Sequence, residues 1–208
     1  MRKFVVAVHE GTGERLQELM IELREEERAW VVQERNEAER RPNPPARRAA
    51  LREVRQQLAR KRSAGELLGT RQALITYHLN RVLDQRGLRR EWPPMPDGQR
   101  RPGRPTGRGH TAGGGYEERL SIELDDDLAD LIERATWHVS AKAREELQRW
   151  SDRWGKSPVL ATNTLELAAA ILGGTPSADD LKRRRELRES IITTGDLLRD
   201  ALQRALSS

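Results

Sequence analysis

The chain has 208 residues, of which 36% are hydrophobic, 4% aromatic and 34% charged. That suits one ordinary domain or two small ones, and it is poor in the apolar side chains of a large enzyme core. Cysteine is absent, which excludes disulfides, thiol catalysis and cysteine-ligated zinc. No apolar run approaches the ~18 residues of a membrane span. The opening MRKFVVAVHEG has too short an apolar part for a secretory signal, so a soluble, cytoplasmic protein is expected.

The net charge of +5 hides an uneven distribution. Residues 1–40 hold 7 Lys+Arg against 10 Asp+Glu, residues 41–108 hold 17 against 5, and residues 109–208 hold 14 against 18. A basic middle third attracts polyanions, because Arg and Lys near phosphates release condensed counterions. Of the 38 basic residues 33 are Arg, the better bidentate partner for phosphate and guanine.

In chain order, KFVVAV (3–8) is rich in β-branched residues and predicts one short strand. A helix capped by Thr12 follows through Leu16, Leu19, Met20, Leu23, Trp30 and Val31 to about Arg41, its apolar stripe interrupted by Glu25, Glu26 and Glu27. Pro42, Pro44 and Pro45 end it. A second helix starts near Pro45 and carries Ala49, Leu51, Val54 and Leu58, with Arg on its other faces. The two helices pair as a hairpin or as a dimer seam, without a sustained heptad.

Half of the 24 residues from Trp92 to Gly115 are Gly or Pro, the composition of a flexible linker. Beyond it RLSIEL (119–124) alternates polar and apolar and predicts a strand, and Asp125, Asp126 and Asp127 suit the positive end of the helix that follows. Further helices are expected near 140–154, 158–172, 177–190 and 194–207. The last has Leu197, Leu198, Ala201, Leu202, Ala205 and Leu206 on one face behind a Thr194 cap.

Three segments resemble DNA-binding motifs. Ser63–Leu83 (SAGELLGTRQALITYHLNRVL) resembles a helix-turn-helix of the winged-helix or repressor kind, with Gly65 where two helices approach, Leu68 in the first helix, Gly69 at the turn, and Ile75 and Leu79 on the apolar face of the second. The resemblance implies a recognition helix from near Thr70 that turns Arg71, Gln72, Thr76, Tyr77 and Asn80 towards a major groove, with Arg81, Arg86, Arg89 and Arg90 on phosphates. The other reading of these residues is an ordinary helical pair joined by a glycine turn. RRPGRPTGRG (100–109) resembles an AT-hook, with Arg101, Arg104 and Arg108 as minor-groove cations; it is otherwise a solvated tether.

The stretch from Glu118 resembles the ribbon-helix-helix family of dimeric DNA-binding proteins and antitoxins. In one register the strand is 119–124, the first helix carries Leu128, Leu131, Ile132 and Ala135, and Ser140 caps the second. Alternation then buries Leu120, Ile122 and Leu124, and the resemblance implies that Arg119, Ser121 and Glu123 turn outwards to the major groove, with Arg119 and Ser121 as DNA-binding residues. A second register puts the strand at Ala135–Val139 and the turn at Trp154–Ser157. A third reading is an acidic helical domain whose one strand pairs for dimerisation.

The four histidines do not fall at metal-ligand spacing, and Gly11-Thr-Gly13 lacks the Lys-Ser/Thr of a phosphate loop. Neither a catalytic residue nor a cofactor is expected. The sequence thus predicts a mainly α fold: a helical part over 1–91 with a helix-turn-helix, a linker over 92–115, and an α-helical dimerisation part over 116–208 led by one short, ribbon-helix-helix-like strand. The expected function is sequence-specific binding of double-stranded DNA by a homodimer, as a transcriptional regulator or a plasmid- or phage-type replication or partition factor. The alternative is a protein–protein adaptor, such as an antitoxin or phage-encoded inhibitor, that docks a partner through 194–207.

Overall fold

The computed structural model describes residues 1–96, 116–154 and 176–207. Among them the fold is mainly α, with seven helices and one two-stranded antiparallel sheet. In order these are β1 (Arg2–Val8), α1 (Thr12–Glu39), α2 (Pro44–Ala64), α3 (Arg71–Gln85), β2 (Glu118–Leu124), α4 (Asp126–Val139), α5 (Ala141–Trp154), α6 (Ala178–Ser190) and α7 (Thr194–Ala205). The helix expected at 158–172 and the AT-hook-like 100–109 lie outside the described residues.

Contacts divide the chain into two units. The described part of the first comprises residues 1–91, 116–130 and 195–207, and that of the second comprises 92–96, 131–154 and 176–194. The division runs through α4 rather than through the Gly/Pro segment alone. Residues just after that segment, and the chain's last helix, therefore belong with the N-terminal helices.

In the first unit β1 and β2 pair in register from Arg2↔Leu124 to Val8↔Glu118. The strand expected to pair between two chains is thus paired within one. The Gly13 amide donates to Glu118 Oε2 at 3.0 Å, across 105 residues of sequence. Val6, Val8, Leu120, Ile122 and Leu124 are buried on the inner face of the ribbon, and β2 packs on α3 and α1. Helix α3 carries the largest share of the core, with Leu74, Ile75, Leu79, Val82 and Leu83 buried.

Local signals explain three of the helix starts. Asn43 caps α2 by accepting from the Ala46 amide at 2.8 Å, with Pro44 and Pro45 in the first turn, where no amide is needed. Thr70 caps α3 by accepting from Ala73 at 3.1 Å. Ser177 and Asp180 form a reciprocal capping box on α6. Helix α1 departs from expectation: its cap is Gly11, and the Thr12 hydroxyl donates to the His9 carbonyl at 2.7 Å instead.

The second unit is built from the later part of α4 with α5 and α6. Glu146 pairs with Arg183 at 2.6 Å, and the Arg184 guanidinium lies 4.4 Å over the buried Trp150 ring. The Ser140 hydroxyl donates to the Ile192 carbonyl and accepts from its amide. Ala135–Val139 is helical, so the ribbon-helix-helix register that made it a strand is ruled out; Ala135 and Thr136 are fully buried helix residues.

Gly65 ends α2 at φ +81°, and a Cβ there would stand 2.2 Å from the Tyr77 ring. Gly65→Ala therefore combines backbone strain with a clash against a rigid ring. It is expected to lower the unfolding free energy by about 1–3 kcal/mol, read as a lower urea midpoint, whereas Ser63→Ala at an exposed site should leave the midpoint within error. An unchanged midpoint for Gly65→Ala would contradict this packing.

Candidate nucleic-acid interface

The corner between α2 and α3 is built around an acid. Arg62 donates to Glu27 of α1 through Nη2 at 2.6 Å and Nε at 2.9 Å, and the buried Gly69 amide donates to Glu27 Oε2 at 3.1 Å. A Cβ at Gly69 would meet the Glu27 side chain at 2.8 Å. Leu68, expected in the first helix, is a buried residue of the connecting loop. The Gly69 corner therefore faces α1 rather than solvent.

Of the five side chains expected to face bases, Arg71 is exposed and the other four are half-buried. Gln72 donates to Asp125 at 3.2 Å. The Thr76 hydroxyl is enclosed without a hydrogen-bond partner, and Tyr77 lies against Gly65 with the Arg81 guanidinium 5.7 Å from its ring centre. The neighbouring cations are largely engaged: Arg81 with the Tyr77 hydroxyl, Arg86 with Asp200, and Arg89 with Asp84. Arg90 is exposed. Arg101, Arg104 and Arg108 lie outside the described residues.

The ribbon presents a different surface. Along β2, Arg119, Ser121 and Glu123 are exposed while Leu120, Ile122 and Leu124 are buried, the alternation expected from the sequence. Cross-strand neighbours complete the outer face: Lys3 opposite Glu123 and Val5 opposite Ser121, while Ala7, opposite Arg119, is buried. Lys3 and Val5 are exposed, Val5 to 65%. Sequence reading found the 3–8 strand but not its partner, so it missed Lys3 and Val5; alternation names a strand's outward residues, not its neighbour. At the end of the ribbon Arg2 reaches Asp126 at 3.5 Å and Asp130 at 2.7 Å, partly neutralising the acids that open α4.

A cleft of about 420 Å³ in the same unit is lined by His9, Arg15, Tyr116, Asp196 and Arg199 among others. Arg199 is committed to Asp196 at 2.5 Å and to the Ala7 carbonyl at 3.2 Å, and lies over Tyr116. Among the described residues no three His, Asp or Glu side chains cluster as metal ligands, and no helix is long and apolar enough to cross a membrane. No protein-family model, curated protein or solved structure matches the chain.

The hydrogen bond from Arg62, assisted by its charge and the Gly69 amide and opposed by burial, holds the Glu27 carboxyl below its ordinary value. A carboxylate with a depressed native value contributes stability above the unfolded value of ~4.3, and that contribution is lost as pH falls through the native value. Glu27→Ala leaves the buried Gly69 amide unpaired and should cost about 1–3 kcal/mol near neutrality. In urea titrations the gap between wild type and Glu27→Gln should narrow as pH drops from about 6 to about 3. A gap that stays constant would show that this carboxylate does not hold the corner.

Proposed function

We propose that the chain binds double-stranded DNA, without catalytic chemistry, and reads its site with the outer face of the β1–β2 ribbon. One observation carries this reading: a complete two-stranded antiparallel ribbon keeps Lys3, Arg119 and Ser121, with Glu123 opposite Lys3, on its exposed face while its other face is sealed by the core. The major groove of B-DNA admits such a ribbon; Arg and Lys pair with guanine, and Ser bonds to several bases. Val5 at the centre offers an apolar contact of the kind made with a thymine methyl. Helix α3 packs against β2 and supports this surface.

Such binding serves a transcriptional regulator or a plasmid- or phage-type replication or partition factor. Homodimers, expected from the sequence, would set two ribbons one DNA turn or a multiple of it apart. The adaptor reading is less favoured because Leu197, Leu198, Ala201, Leu202 and Ala205, the face it needed, are buried in the chain itself.

Selection of bound fragments from random duplex DNA, followed by Arg119→Ala with Ser121→Ala on the selected site, tests the proposal. Loss of one good base pairing is worth about 1–3 kcal/mol, so specific affinity should fall roughly tenfold or more, with random-sequence binding little changed apart from any phosphate contact. Undiminished specific binding would remove the ribbon from the interface. Failure to retain any duplex at low salt would remove DNA altogether.

A further inference from the structure

Helix α2 carries seven cations and one acid, Glu53, over Pro44–Ala64. Three of the cations have local duties: Arg62 holds Glu27, Lys61 pairs with Glu66, and Arg47 donates to the Arg41 carbonyl. Arg48, Arg52, Arg55 and Arg60 are all exposed, and no ion pair involves any of them among the described residues. Val54 is the buried residue of this helix, with Leu51 and Leu58 half-buried. Arg48, Arg52 and Arg55, spaced i, i+4 and i+7, share an exposed face that flanks that apolar stripe.

Like charges at this spacing repel, and helix propensity does not require them. The adjacent α1 holds nine acids against four arginines, yet among the described residues none of its carboxylates pairs with these three guanidiniums. We propose that this face of α2 grips the phosphate backbone of duplex DNA independently of sequence, an inference that rests on the DNA-binding reading above. From Arg48 to Arg55 the helix rises about 10 Å, which spans two or three phosphates at ~3.4 Å of helix rise per nucleotide. The exposed residues between and just beyond the arginines are Ala49, Glu53, Gln56 and Ala59. A membrane-surface helix would need large apolar side chains there.

The test uses the full chain and a random-sequence duplex, with affinity measured against salt. Replacing Arg48, Arg52 and Arg55 together by Gln should reduce the magnitude of the log–log salt slope by roughly 2–3 and weaken binding at least about tenfold at ~0.1 M salt. Replacing the same three by Lys should keep the slope, and replacing the exposed Arg24, Arg28 and Arg35 of α1 by Gln should leave it unchanged. If wild type binds duplex and the Gln variant keeps the full slope, this assignment fails while the ribbon reading stands. If wild type binds no duplex, both fail. Loss of salt-sensitive self-association in the Gln variant, with the DNA slope intact, would instead make the face a contact between copies and overturn the proposal.

Discussion

The first unit hangs on one carboxylate. Glu27, in the middle of α1, accepts both donors of an Arg62 fork from the end of α2 and the Gly69 amide from the loop that starts α3. Two segments are thereby held against one side chain of a third, whose exposure is 12%. Partial burial strengthens such charge-assisted bonds, and it makes the loss of any partner costly. The same tie explains two glycines. Position 69 lies too close to Glu27 for a side chain, and position 65 lies too close to the Tyr77 ring. With the corner fixed, α3 passes under the ribbon and its apolar residues complete the core.

This arrangement separates cations that hold the protein together from cations that face outwards. Around α3 the arginines meet Asp84, Asp200 or Tyr77, so a high basic count in the sequence overstates what is available there. On α2 the outer guanidiniums are exposed and make no ion pair among the described residues. Under the DNA-binding proposal the ribbon would meet base edges, which give selectivity, and the outer face of α2 would meet phosphates, which give affinity.

Much of this was legible from local pattern, and what was not has a common cause. RLSIEL announced its buried and exposed residues because period-two alternation is a property of one strand. Leu197, Leu198, Ala201 and Leu202 announced an apolar face, but amphipathicity says only that a face is covered, not by what; here the chain covers it itself. The β-prone residues of Ala135–Val139 allowed a strand, and helical packing overrode that preference. Glu27 looked like an interruption of an apolar stripe, since its meaning lies in residues 35 and 42 positions away. His78, inside the segment expected as a recognition helix, is a core imidazole, kept below its ordinary value by burial and by the charges of Arg81 and Arg204.

The closure of β1 on β2 also constrains how the molecule is made. During synthesis the first strand emerges long before the segment that completes it, so Phe4 to Val8 must wait on the nascent chain with open edges. Hairpin-like α1 and α2 form from neighbouring residues and need no such delay. Assembly is therefore expected to begin with the helices and end with the sheet, which exposes an adhesive strand during every round of translation. Crowded ribosomes would then favour whatever shields that strand until Glu118–Leu124 arrives.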